Sequence, residues 1–148
     1  MNKYEINEKT IAILPISKTS SQIIEENKEF IVNKRPIDII DHSCKYFGSS
    51  YEGRHIGTVA ITGISYKTPI VIEETKNIIF FPTLSVRSSD CCWISLDKIE
   101  NYLKNKYIST IIFKNGYELS LDISLNSLKN QIYKSTMLDS ILKKRKNR

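Results

Sequence analysis

The side chains best equipped for phosphate chemistry are Lys34, Arg35, Ser49, Ser50, Arg54, Lys67 and Arg87. Lysine and arginine supply fixed cations, and a serine hydroxyl beside a helix N-terminus adds a neutral hydrogen-bonding partner for an anion. Such a set suits the backbone of nucleic acid. It suits the minor groove of an A-tract in particular, because that groove is narrow and strongly negative and draws in cations with few base-specific hydrogen bonds. Some of these residues also have a structural role open to them. Ser49 can cap a helix, Glu52 can pair with Arg54 or with that cap, Arg54 can brace the fold, and Arg87 can pair with Asp90 on an exposed loop.

Other chemistries find less support. Cys92-Trp93 sits in a run, Cys91 to Ile94, that reads as a buried strand, and the neighbours of a nucleophilic cysteine are missing. Zinc on His42, Cys44, Cys91 and Cys92 meets an obstacle, since adjacent cysteines on a strand point to opposite faces and no CxxC or HxxxH spacing occurs. No phosphate-cradling glycine loop, nucleophile elbow or spaced carboxylate pair is present. The expectation is a protein that is not an enzyme and holds no cofactor and no metal.

The elements that must position the cations can be read from pattern. Thr10–Pro15 and Glu29–Val32 are β-branched runs and predict strands, with a polar stretch between them. Pro36 stands at a helix N1 position, and Ile37, Ile40 and Cys44 follow at helical spacing up to Phe47 and Gly48. Ser49 with Glu52 has the form of a capping box, so a second helix is expected to run to Gly63, with Ile56, Val59 or Ala60 and Gly63 along one face. Two helices across a glycine turn have the outline of a helix-turn-helix. Further strands are expected at Pro69–Ile72, Ile78–Phe81, Cys91–Ile94 and Tyr107–Phe113. Asn115-Gly116 then predicts a type I′ hairpin into Tyr117–Leu121. Ser124 or Asn126 can cap a last helix bearing Leu128, Ile132, Leu138, Ile141 and Leu142.

A net charge of +6 adds little by itself, because residues 127–148 carry seven basic groups and one acidic and thus supply the whole excess. The remaining body is close to neutral. The expected organisation is one domain over 1–142 and a basic tail over 143–148, able to raise non-specific affinity by counterion release. The start Met1-Asn2-Lys3-Tyr4-Glu5 has no apolar h-region, and three cysteines do not make a disulfide framework, so a cytoplasmic protein with reduced thiols and no membrane partner is expected.

Several segments occur together and in order: Gly48-Ser49-Ser50-Tyr51-x-Gly53-Arg54, Lys67-Thr68-Pro69-Ile70, Phe80-Phe81-Pro82-Thr83-Leu84-Ser85 and Cys91-x-Trp93-Ile94-Ser95. With Tyr4-Glu5-Ile6-Asn7, Thr10–Pro15, Asp41-x-Ser43-Cys44 and Asn126-Ser127-x-x-Asn130-Gln131-x-Tyr133, this set resembles the competence transcription factor family ComK over nearly the whole chain. The resemblance implies a cytoplasmic, nucleoid-associated activator of DNA-uptake genes. It implies cooperating dimers that bind paired A/T-rich boxes chiefly through the minor groove of promoter duplex, reaching RNA polymerase indirectly. It also implies control by an adaptor that delivers the protein to a Clp protease by recognising sequence toward the C-terminus, where typical members continue for a few tens of residues more. A rival expectation is a shortened interaction module that titrates regulators or the adaptor without activating transcription. The fold expected is α+β, a short antiparallel sheet with two helices in the N-terminal half and a C-terminal helix. Its strand order does not follow from the sequence.

Overall fold

The computed structural model describes residues 1–147. Three strands open the chain as a meander, β1 (Thr10–Ser17), β2 (Ser20–Glu25) and β3 (Glu29–Val32), followed by helices α1 (Pro36–Tyr46) and α2 (Tyr51–Thr62). Strands β4 (Ile70–Glu73), β5 (Ile78–Pro82) and β6 (Trp93–Ser95) complete a six-stranded antiparallel sheet in the order β3-β2-β1-β6-β5-β4. After a 3-10 turn at Leu96–Lys98, strands β7 (Ile99–Asn105), β8 (Ile108–Phe113) and β9 (Glu118–Leu121) form a second, three-stranded sheet, and α3 (Leu125–Lys146) ends the chain. The α+β class is as expected. The six-stranded sheet is larger than the short one expected, and a second sheet stands beside it: β2 of the first lies in the polar Ser/Thr/Glu stretch and β7 of the second in Ile-Glu-Asn-Tyr-Leu-Lys-Asn, neither of which carries a clean apolar run.

The large sheet is buried on both faces. Ile13, Ile23, Ile70, Ile72, Phe80 and Trp93 meet α1 through Ile39, Ile40 and Cys44. Ile11, Ala12, Ile24, Phe81 and Ile94 instead meet the small sheet and the start of α3, through Ile111, Phe113, Leu121 and Leu128. A strand covered on both sides needs apolar residues at consecutive positions, which is why Ile70-Val71-Ile72, Ile79-Phe80-Phe81 and Trp93-Ile94 read as runs and do not alternate. Each fully buried Ile or Phe contributes about 1.5–3 kcal/mol.

Local details correct the sequence reading in three places. The cap of α2 is Ser50, whose Oγ accepts from the Gly53 N–H at 2.9 Å, and not Ser49. The inward face of α2 is Tyr51, Arg54, Thr58 and Ile61, whereas Ile56 is 60% exposed. The helix packs on α1, β4 and α3, and these contacts set its orientation over hydrophobicity alone. The β8–β9 hairpin exists, but a type I′ turn needs positive φ at both central residues, and only Gly116 has it (φ 92). Asn115 keeps ordinary backbone and uses its side chain instead, accepting from the Tyr117 N–H and donating to the Glu26 carbonyl.

Candidate nucleic-acid interface

The cations predicted from sequence do not form one cluster. Arg35 and Arg87 come together: Arg35 is the residue before Pro36 at the start of α1, and Arg87 rides on the loop between β5 and β6. Both line a hollow of about 340 Å³ with Lys18 from the β1–β2 turn, Ser17, Ser88 and Ser89, floored by Trp93. No carboxylate lines it. The Arg87 loop is pinned at its base by the Thr83 N–H to the Cys92 carbonyl and the Cys92 N–H to Thr83 Oγ1, at 2.9 and 3.0 Å. Arg35 gives its guanidinium to Asp38 in two bonds of 2.8 and 3.1 Å, so part of its charge is answered within the chain. Arg87 is exposed, and among the described residues it makes no ion pair, with Asp90 or otherwise. Lys34 is exposed beside Arg35 but borders a different hollow, with Lys3 and His42.

Lys67 belongs to a corner that the sequence does not announce. Gln131 of α3 is 1% exposed and donates its amide to the carbonyls of Lys67 (2.8 Å) and Pro82 (2.9 Å), tying the start of β4 to the end of β5. One turn on, Lys134 donates to the Tyr66 carbonyl at 2.9 Å, and the ammonium groups of Lys67 and Lys134 lie 5.6 and 5.8 Å from the Tyr66 ring centre. The ring's negative face attracts both cations and holds them as a pair. Burial, and then the charge of Lys67, pull the pKa of Lys134 below the usual lysine value. No carboxylate within the described residues pairs with either. An anion seated there would relieve the repulsion. The corner adjoins the base of the Arg87 loop, because Gln131 bonds the carbonyls of both Lys67 and Pro82, and Pro82 precedes Thr83, where that loop is clamped.

Ser49, Ser50 and Arg54 sit apart from both, at the α1–α2 junction. Gly48 turns the chain with φ 89, the Ser49 N–H returns to the Cys44 carbonyl at 2.9 Å, and Asp41 of α1 accepts from the Tyr51 N–H at 2.9 Å. A Cβ on Gly53 would meet Ser49 Oγ at 3.0 Å and Ser50 Oγ at 3.2 Å, so a side chain there would push both hydroxyls slightly aside. Arg54 turns inward. Its side chain is 14% exposed and bonds Glu74 at 2.5 Å, its Nε is buried without a partner, and Lys146 of α3 reaches the Glu74 carbonyl and Asn77 Oδ1 nearby. Helix α3 thus continues through Lys143–Lys146, the start of the run read as a tail, with Lys143 paired to Asp139 at 2.9 Å. Arg148 lies outside the described residues.

The thiols have unreactive surroundings: burial pushes Cys44 and Cys92 up to about 12, which keeps both protonated at neutral pH. No group of three or more potential metal ligands occurs among the described residues. No helix there is long and apolar enough to cross a membrane. The basic residues that sequence reasoning missed are Lys18 and Lys134. Lys134 had a weak signal, directly after a segment of the family pattern that ends at Tyr133, while Lys18 had none.

No solved structure matches the chain. A family model described as ComK protein matches residues 1–147. The competence transcription factor of Bacillus subtilis (strain 168) is 42% identical over 142 residues, which cover 93% of this chain and 74% of that protein. The chain therefore belongs to the ComK family and is, at that level, a regulator of competence transcription.

Proposed function

We propose that this protein activates DNA-uptake genes from the cytoplasm by binding paired A/T-rich boxes in promoter duplex as a dimer, mainly through the minor groove. The observation that carries the reading is the Arg87 hollow. An unpaired arginine on a braced loop stands beside Arg35 and Lys18 over serine hydroxyls, with no carboxylate in the lining. A loop braced at its base before binding loses less freedom than a loose one when its cation enters a narrow negative groove. The Lys67–Lys134 pair next to it is suited to a flanking phosphate, a contact that positions the protein without reading sequence. Lys34 is a further exposed phosphate candidate. Ser49, Ser50 and Arg54 enter the contact only through the α1–α2 junction, and Arg54 would first have to leave Glu74.

The test is protection of a promoter fragment with paired A/T boxes, run beside a mixed-sequence fragment of equal length. Protection of the boxes alone, competed by a minor-groove ligand and weakened in Arg87→Ala, is the expected result. Equal protection of both fragments, or competition only by a major-groove ligand, would overturn the specificity or the groove assigned.

A further inference from the structure

Strands β7 and β8 run beyond the core as a hairpin whose tip, Lys104-Asn105-Lys106-Tyr107-Ile108, is exposed throughout. Tyr107 is 88% exposed, more than any other large apolar side chain among the described residues. Asn105 pairs with Ile108, leaving Lys106 and Tyr107 as the loop. Lys106 has φ 59, a left-handed conformation that glycine adopts freely and that every larger side chain resists. A hairpin that had only to turn would be better served by glycine. Lysine at that position sets an ammonium group at the outermost point of the arm. The same arrangement, an exposed tyrosine next to a left-handed lysine, recurs at Tyr66 and Lys67 (φ 47).

The tip overhangs the start of α3, enclosing a shallow hollow of about 310 Å³ with Leu125 and Asn126. From Asn126 the helix rises about 12 Å to Lys134 of the cation pair, at about 1.5 Å per residue. That stretch holds no acidic residue and carries Lys129, Asn130 and Tyr133 exposed. Neither Lys104 nor Lys106 makes an ion pair within the described residues.

We propose that the β7–β8 hairpin is a phosphate-gripping arm, in which Lys104, Lys106 and Tyr107 close on the backbone of duplex DNA beyond the Lys67–Lys134 corner. The inference rests on the reading that the protein binds DNA, and it assigns a surface that reading does not use. Lys104, Lys106 and Tyr107 offer two cations, a hydroxyl and one flat ring, with no arginine fork, and the one carboxamide at the tip, Asn105, is not part of the grip, so the contribution of the three is the same on every sequence.

Fluorescence anisotropy of the full chain tests this, with a labelled A/T-rich duplex and a mixed-sequence duplex of equal length, across salt from about 50 to about 200 mM. In the double variant Lys104→Gln, Lys106→Gly, the slope of log affinity against log salt should fall by about 1.8, two phosphate contacts at about 0.9 each, with about a tenfold loss on both duplexes. The melting temperature should not drop, because glycine relaxes the turn. Lys106→Gly alone separates charge from structure: a purely structural lysine would be replaced without loss of affinity, and that result counts against the arm. An unchanged slope in the double variant, with Arg87→Ala still weakened, overturns the arm and leaves DNA binding standing. A loss confined to the A/T-rich duplex also overturns it. If the unaltered protein binds neither duplex, both readings fall together.

Discussion

Arg54 and Arg87 both follow serines by a few residues, Arg54 in the first turns of a predicted helix and Arg87 in a predicted loop, and on sequence both are available to phosphate. In the fold, Arg54 lies on the inner face of α2, mostly buried, with Glu74 as its partner twenty residues along the chain. Arg87 stands on a loop clamped at its base, exposed and without an acidic partner in the described residues. The difference lies in the partner. A helix that packs on β4 brings Arg54 to the Glu74 turn, while the clamped β5–β6 connection keeps Arg87 over an acid-free hollow. A cation's sequence neighbourhood therefore says less about its use than whether the fold delivers a carboxylate to it.

Arg54→Ala should show the largest effect, about 2 kcal/mol of lost stability, through the buried stem and the broken ion pair. For a chain of this size that is a fall of roughly 4–8 °C in melting temperature. Arg54→Met, which keeps most of the stem, should recover part of it by calorimetry. If Arg54→Ala melts with the unaltered protein yet binds DNA poorly, the contrast with Arg87 is wrong. Arg87→Ala is the mirror case. Affinity for an A/T-rich duplex should fall by about 1–2 kcal/mol, with stability changed by less than about 0.5 kcal/mol. A destabilised Arg87→Ala would make that arginine a brace as well.

The same distinction explains what the sequence disclosed. Runs such as Ile79-Phe80-Phe81 and the Pro36 and Gly63 helix boundaries depend on neighbours a few residues away, and the strands and helices they mark are present. β7 was not legible, because its inward residues Ile99 and Tyr102 are interrupted by a bulge that shifts the alternation. The Lys67–Lys134 pair was half legible: Tyr66 and Lys67 are adjacent, but the tie to α3 runs through Gln131, a polar side chain at a core position that hydrophobic periodicity cannot see. A capping-box pattern fits Ser49, but the helix opens one residue later, at Tyr51, so the cap is Ser50.

That one-residue shift is open to a test of moderate size. Ser50→Ala should cost about 1 kcal/mol by leaving the Gly53 N–H without its acceptor, and Ser49→Ala less than about 0.5 kcal/mol. Denaturant midpoints at unchanged m-value measure both. Equal costs would return the cap to both serines, and with it the prospect that the junction meets phosphate as a unit.

The smallest effect concerns how α1 holds α2 in place. Burial works against the ionised form of Asp41, but the Tyr51 N–H and the Lys45 ammonium outweigh it and hold the carboxyl below its ordinary range. A carboxyl depressed in the folded state adds stability at pH above its unfolded value of about 3.9, and that stability is lost as pH falls through the lower folded value. Asp41→Asn keeps an oxygen to accept from Tyr51 and removes only the charge. Its melting temperature should therefore trail that of the unaltered protein by a constant margin from about pH 7 to about pH 5, and the margin should close below about pH 4. Glu26, held down by Lys98, and Glu73, held down by the Thr75 and Lys76 N–H groups despite its burial, titrate in the same window in both proteins, so the difference between the two curves isolates Asp41. A margin that persists to about pH 2 would mean that the amide fails as an acceptor and that Asp41 supports α2 by shape alone, in which case the junction owes nothing to charge.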